Sequence, residues 1–286
     1  MTAVAETNEP GSDPAAAGRS LQASQPRHLI ITVYGLYARP DGGWLSVASL
    51  VRLLADLGID ETAVRSAISR LKRRGILASR RHGGSAGYQL SAGAEAILRE
   101  GDARIFRRRR ATAADGWVLA VFSVPESQRH RRHVLRSELT RLGFGMVAPG
   151  VWIVPAHPAD STAETLRRLE LDGYADLFHA DHLAFGDPAA KIRRWWDLDE
   201  LDRHYTSFIV AYEPVLSQPA HDERAAFAGY VRVLTDWRRL PYLDPGLPAE
   251  LLPAGWAGIR AADLFFALQA RLAEPAQAYV TRAITR

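Results

Sequence analysis

The chain has 286 residues, 47% apolar and 24% charged, the composition of a folded protein too long for one typical core. It has no cysteine, which excludes disulfides and thiolate zinc sites and points to a reducing, cytoplasmic setting. The net charge of +4 is concentrated: residues 27–110 hold sixteen Lys/Arg against seven Asp/Glu, a net +9, whereas residues 1–26 carry −2 and residues 111–286 carry −3. A basic segment of about the size of a small domain is the electrostatic footprint of a polyanion partner.

Met1 to Pro26 is rich in Ala, Pro, Ser and Glu and has neither a basic start nor an apolar stretch. It reads as a disordered tail and not as a signal peptide. Gln25 to Ala38 is an apolar helical stretch ended by "RPDGG" at 39–43. It contains the longest apolar run, far short of the roughly 18 residues that span a bilayer, so no membrane partner is expected. Ser46 opens a second helix, in which Val47, Leu50, Val51 and Leu54 recur at helical spacing and which Gly58 closes. Asp60 then caps "ETAVRSAISRLKRRG", ended by Gly75.

This third helix is the most informative stretch. At about 100° per residue, Val64, Ala67, Ile68 and Leu71 form one apolar stripe. Thr62, Arg65, Ser66, Ser69, Arg70 and Arg73 fall on the opposite side. Short hydroxyls let a helix backbone approach a groove, while arginines reach phosphates or pair with guanine. The short Gly-containing link "GID" between the two helices is that of a helix-turn-helix.

Residues 76–81 read as a strand and residues 87–90 as its return, with Gly83, Gly84 and Gly87 supplying the freedom that a turn needs. Between them "RHGGSAGY" contains G-x-S-x-G, the pattern of a serine-hydrolase elbow. An elbow needs a helix after the serine, and here a strand follows Ser85. The hairpin is therefore expected to be a wing. Arg65, Ser66, Ser69 and Arg70, with Thr62, are the candidates for base edges. Arg73, Arg74, Arg80, Arg81 and His82 are the candidates for the DNA backbone or minor groove. The Arg107–Arg110 tetrad suits either phosphate contact or a solvated linker.

Further along, "WVLAVFSVP" (117–125) suits a buried strand and residues 129–143 a helix with Val134, Leu135, Leu139 and Leu142 inward. "FGMVAPGVWIVP" suits two strands, "STAETLRRLE" a helix and "DLFHADHLAFG" a strand, in the βαββαβ order of a ferredoxin-like domain. The pairs His130/His133 and His179/His182 have metal-ligand spacing, but neither brings an obvious third ligand, so no metal and no cofactor is expected. The last third holds long amphipathic helices and four of the seven tryptophans, Trp195, Trp196, Trp237 and Trp256.

The stretches "LIITVYGLYA", "ETAVRSAISRLKRRGIL", "GYQLSAGAEAIL", "WVLAVFSVPE" and above all "WRRLPYLDPGLPAELLPAGWAG" (237–258) resemble the PaaX family of bacterial regulators of phenylacetic acid catabolism. The resemblance covers nearly the whole chain. It implies an α+β multidomain fold: an N-terminal winged helix-turn-helix (27–105), a basic linker (106–116), a ferredoxin-like Cas2-like domain (117–187) and a helical C-terminal domain (188–286). It also implies a homodimeric repressor, bound to double-stranded DNA at an inverted repeat and released by an aryl-acyl-CoA such as phenylacetyl-CoA. Such an effector needs an apolar aromatic pocket rimmed by cations, for which Arg193, Arg194, Trp196, Trp237, Arg238 and Arg239 are the candidates, at a site between the middle and C-terminal domains. Cas2-type nucleases carry an aspartate at the end of the first strand, where this chain has Phe122-Ser123-Val124-Pro125. A nuclease or esterase is therefore the weaker reading. An activator, or a regulator of another acyl-CoA, would use the same DNA-reading surface.

Overall fold

The computed structural model describes residues 25–107, 110–156, 159–182, 185–218 and 222–285. The expected tail, up to residue 24, and two arginines of the tetrad, Arg108 and Arg109, lie outside the described residues.

Helix α1 (Pro26–Val33) starts with proline in its first turn, where a missing N–H costs nothing, and runs on as a π turn over Tyr34–Ala38. A short strand β1 (Trp44–Ser46) precedes α2 (Val47–Asp56), which Ser46 caps through Ser49 N. Asp60 caps α3 (Glu61–Arg73) by accepting from Ala63 N at 2.9 Å. Both α2 and α3 end in the same way. Gly58 and Gly75 take φ of 78° and 69°, and the residues after them, Ile59 and Ile76, donate back to Leu54 O and Leu71 O at 3.0 Å. This Schellman closure satisfies carbonyls that the helix leaves orphaned.

β2 (Leu77–His82) and β3 (Ser85–Leu90) form an antiparallel hairpin whose two-residue turn is Gly83-Gly84, both at positive φ. That is the backbone of a type I′ turn. β1 adds to the far edge of β3, giving the order β1-β3-β2. Gly87 has another role than the turn expected for it: it pairs with Ser46, and a Cβ there would lie 2.4 Å from Leu45 O and 2.5 Å from the Trp44 ring. Helix α4 (Ala92–Phe106) follows β3 directly, capped by Ser91.

Strands β4 (Trp117–Phe122), β5 (Gly145–Ala148), β6 (Val151–Pro155) and β7 (Ala175–Ala180) form a second antiparallel sheet, ordered β5-β6-β4-β7. With α5 (Arg129–Arg141) and α6 (Ala159–Arg168) they give the βαββαβ order. One face of the sheet packs on the two helices through Val118, Ala120, Trp152, Val154, Leu135, Leu139 and Leu166.

The remaining helices are α7 (Pro188–Trp195), α8 (Leu198–Ser217), α9 (Glu223–Trp237), the short α10 (Leu240–Leu243) and α11 (Ala257–Thr285). Tyr205, Phe208, Trp237 and Phe265 make their aromatic centre, with the Trp237 and Phe265 rings stacked at 4.7 Å.

This helical region does not have a core of its own. The cluster of buried side chains runs from α1, α2 and α3 straight into α8, α9 and α11. Thr32 of α1 and Thr235 of α9 share a buried hydroxyl contact at 2.7 Å. Arg52 of α2 donates to Ala283 O at 2.6 Å, and Tyr279 of α11 donates to Asp56. The central sheet joins this body at one seam. The Trp196 indole donates to Gly143 O at 2.9 Å, and a Cβ at Gly145 would lie 2.7 Å from its ring. The other seam is Asp244, 6% exposed, which accepts from Arg110, Tyr205 and Gly246 N at 3.1, 2.8 and 2.8 Å.

Candidate nucleic-acid interface

Val64, Ala67, Ile68 and Leu71 are all buried to 2% exposure or less, so the apolar stripe of α3 faces the core as its spacing predicts. Burying four such side chains, at about 1.5–3 kcal/mol for each of the large ones, fixes the rotation of the helix. It thereby fixes what the other face presents. Thr62, Arg65, Ser66, Ser69, Arg70, Arg73 and Arg74 are all exposed, as are Arg80, Arg81 and His82 on the hairpin. The fold brings all ten predicted residues onto α3 and the hairpin that follows it, open to solvent.

Local contacts hold some of these side chains. Arg65 donates from Nε to Glu61 at 2.7 Å, one turn earlier on the helix. Arg70 donates to Ser66 Oγ at 2.8 Å. On the hairpin, Arg80 reaches Gln89 Oε1 at 3.0 Å and Arg81 reaches Gly84 O at 3.1 Å. These are exposed contacts of the kind worth at most about 1 kcal/mol, easily exchanged for a phosphate. A groove of about 630 Å³ runs between them, lined by Val47, Val51 and Arg52 of α2, Arg65 of α3, and Ser85 and Ala86 of the hairpin.

The spacing of Val47, Leu50, Val51 and Leu54 marks α2 as a helix, as observed, and its neighbours set its rotation. Leu50, Leu53 and Leu54 are fully buried, whereas Val47 and Val51 are half-exposed at the groove. Apolar residues occupy both sides of this helix, so spacing alone did not select the inward face. The serine of "RHGGSAGY" lies within β3, and its register partner is His82. His82 packs at 5.4 Å against the Trp44 ring. A strand rather than a helix continues from Ser85, which leaves it without the backbone of a nucleophile elbow.

Trp44 is the residue of this surface that sequence reasoning missed. Its indole donates to Arg80 O at 3.1 Å and its ring covers Gly87, so it braces the hairpin against β1. The signal was the pair of a large aromatic and a glycine, 43 residues apart and without a period to join them.

The six residues expected around an effector are dispersed. Trp237 is fully buried in the aromatic centre and donates to Ile105 O at 3.2 Å. Trp196 stacks on Trp117 at the seam with the central sheet. Arg193 and Arg194 are exposed on α7. Arg238 and Arg239 alone line a sizeable cavity, and it lies between the N-terminal helices and α9–α10, not against the middle sheet. Arg110 of the tetrad is neither solvated nor free for phosphate. It forms an ion pair with Asp244, the two side chains being 16% and 3% exposed. His130 and His133 are exposed, and His179 and His182 turn to Asp115 O and Lys191 respectively. Among the described residues no three His, Cys, Asp or Glu side chains gather as a metal site, and no helix is long and apolar enough to cross a membrane.

The chain is 33% identical over 264 residues to a protein named transcriptional repressor PaaX, from Escherichia coli strain K12, covering 88% of this chain and 82% of that one. Three family models match in succession: PaaX-like protein over 25–94, PaaX protein central Cas2-like domain over 110–192, and PaaX-like protein C-terminal domain over 196–282. The chain belongs to the PaaX family. Its matches are to domains of a regulator, not of an enzyme. Among solved structures, the uncharacterized protein Rv0674 from Mycobacterium tuberculosis is 25% identical, with a TM-score of 0.62 over 92% of this chain and 100% of that one. The three PaaX segments meet at the seams described above. The distinctive "LPYLDPGLP" stretch is the loop whose Asp244 receives Arg110, and its Pro241 and Leu247 carbonyls receive Arg104 and Arg110.

Proposed function

We propose that this PaaX-family protein is a cytoplasmic, sequence-specific transcriptional repressor. In this reading residues 27–105 are a winged helix-turn-helix. Helix α3 lies in the major groove with Arg65, Ser66, Ser69 and Arg70 at base edges. Arg73, Arg74, Arg80 and Arg81 hold phosphates, with His82 at the tip of the wing. The observation that carries this is the division of α3: four apolar side chains sealed beneath it, and arginines and short hydroxyls open above it beside a glycine-turned hairpin. The identity to a named repressor supports the same reading.

The protein acts as a homodimer, so that two copies of α3 about one or two helical turns apart select an inverted repeat. Its effector is an aryl-acyl-CoA, phenylacetyl-CoA first among the candidates, and its target a phenylacetate-type catabolic operon. A coupling of about 1–3 kcal/mol between effector and operator suffices to change occupancy 5- to 150-fold. Footprinting on the promoters beside its own gene, with and without phenylacetyl-CoA, tests this. A protected inverted repeat that opens on adding the thioester is expected. Protection that spreads without sequence preference, or none at all, refutes it.

A further inference from the structure

A cavity of about 490 Å³ opens between α1 and α4 on one side and α9 and α10 on the other, within the size range of small-molecule pockets. Its floor is apolar, built from Ile31, Leu36, Leu98, Ile105, Phe106 and Leu234. Ile97 stands at its rim with 68% of its surface exposed, apolar area that a ligand would cover. At about 30 Å³ for each water-sized occupant, the cavity has room for roughly sixteen. That suits an aryl-acyl group and the first atoms of a thioester arm, with anything larger left outside.

Cations gather at the same cavity: His28, Arg39, Arg238 and Arg239. Arg39 is already matched, by an ion pair to Asp102 of α4. Arg238 is not. It donates to His28 O at 3.3 Å, and among the described residues no carboxylate lies within ion-pair distance of it. Burial pulls its pKa below the usual arginine range, against the opposing effect of Tyr242, and Arg239 adds to the depression. A guanidinium held against an apolar cavity with no counter-charge is unfavourable unless an anion completes it.

The walls belong to different parts of the chain. Ile31, Gly35 and Leu36 lie on the helix whose other face, Ile30, Val33 and Tyr34, is packed into the core with α3. The Tyr34 hydroxyl donates to Tyr88 O of the hairpin at 3.0 Å. The cavity's α1 wall therefore backs directly on α3 and on the hairpin.

We propose that this cavity is the effector site, taking a compact apolar acyl group that carries an anion, with the acyl body on Ile31, Leu98 and Phe106 and the anion at Arg238 and Arg239. The proposal rests on the reading of the protein as an effector-released repressor. That anion is the carboxylate of a free arylalkyl acid; in a CoA thioester, whose phosphates stay outside the cavity, the thioester carbonyl takes its place at the arginines, and the test separates the two.

Gly35 offers a clean obstruction. It lines the cavity, and a Cβ built on it meets nothing within 4 Å, so Gly35→Leu fills the space from a helical position that favours leucine over glycine. Full-length wild type, Gly35→Leu and Arg238→Gln are titrated with phenylacetyl-CoA, phenylacetate and CoA by calorimetry, and with the same compounds while bound to the operator. Thermal melting checks that each variant is folded. Gly35→Leu is expected to bind the effector more than tenfold more weakly and to stay on DNA at concentrations that release the wild type. Arg238→Gln is expected to lose roughly tenfold, the loss of one charge-assisted contact. Release by phenylacetate but not the thioester, again lost in Gly35→Leu, assigns the free carboxylate to the same cavity. Both variants binding and responding as the wild type overturns the site while the effector reading stands. If neither acid nor thioester binds the wild type, the effector reading fails, and anilinonaphthalene sulfonate, an aromatic anion, decides the cavity. Binding by the wild type and not by Gly35→Leu sustains it; equal binding, or none, overturns it.

Discussion

Arg65 allows the proposed interface to be tested by magnitude. In the free protein its Nε and Nη2 lie 2.7 and 2.5 Å from Glu61 Oε1, with the two side chains 61% and 56% exposed. An exposed pair of this i,i+4 kind stabilises by about 0.3–0.5 kcal/mol. A good bidentate contact to a base contributes about 1–3 kcal/mol of discrimination. The exchange on binding therefore leaves about 0.5–2.5 kcal/mol, so Arg65→Ala should weaken operator binding roughly 2- to 70-fold. Binding to random duplex should change far less. Glu61→Gln, which frees Arg65 beforehand, should strengthen operator binding about twofold. Arg81 provides the contrast, since its present partner is only a hairpin carbonyl, Gly84 O. Arg81→Ala should weaken specific and random DNA alike and reduce the slope of log affinity against log salt by about 0.9. Fluorescence anisotropy on operator and scrambled duplexes, across a salt series, measures all of these. Equal losses on both duplexes for Arg65→Ala, or an unchanged salt slope for Arg81→Ala, would refute the assignment of α3 to bases and the hairpin to phosphates.

Asp244→Ala removes the carboxylate paired with the enclosed Arg110 guanidinium, and removing one partner of a buried pair costs about 3–5 kcal/mol; the urea midpoint should fall accordingly, and an unchanged midpoint would show the pair to be dispensable. Gly87→Ala forces a methyl against Leu45 O and the Trp44 ring, so it should destabilise by about 1–3 kcal/mol and weaken DNA binding by displacing the hairpin. Retained stability and operator affinity would count against that bracing. His28 has its pKa lowered by burial, then by Arg238, Arg27 and Arg239, which disfavours its protonated form in the fold. The unfolded chain therefore binds the proton first, and stability should be full above about pH 6.5 and fall as pH drops below it. Comparing urea midpoints at neutral and mildly acidic pH should show that loss in the wild type and less of it in His28→Gln. A loss of the same size in both would assign it to another group.

The buried stripe and exposed face of α3, and the hairpin after it, were legible because their physics is local. Asp60, the stripe from Val64 to Leu71, Gly75 and the two glycines of the turn all act within a few residues of one another, where periodicity and capping rules apply. The rotation of α2 was not legible, because Leu53 and Val51 are equally apolar and only the neighbours of the helix choose between them. The role of Arg110 was hidden in a run of four arginines, since its partner Asp244 is 134 residues away. The cavity was the least legible feature. Its walls are joined by contacts such as Thr32 to Thr235, a separation of 203 residues, and Trp237, singled out for its neighbouring arginines, proved to support that wall from within the core.

The shared core explains how so small a coupling could act over this distance. Close-packed interiors transmit strain, so a ligand that changes the spacing of α1 from α9 is felt by whatever α1 packs on. α1 is anchored to α9 through the Thr32–Thr235 contact and to the hairpin through Tyr34, while α2 is anchored to α11 through Arg52 and Asp56. In the proposed function, a ligand that prefers one spacing of α1 from α9 biases the setting of α3, which packs with α1 in the same core. Under the proposed function linkage makes this reciprocal: an operator that favours the other setting of α3 would lower effector affinity by the same factor by which effector lowers operator affinity. A freely jointed DNA-binding domain on a linker would show no such coupling, and the single continuous core from α1 to α11 is what distinguishes this architecture from one.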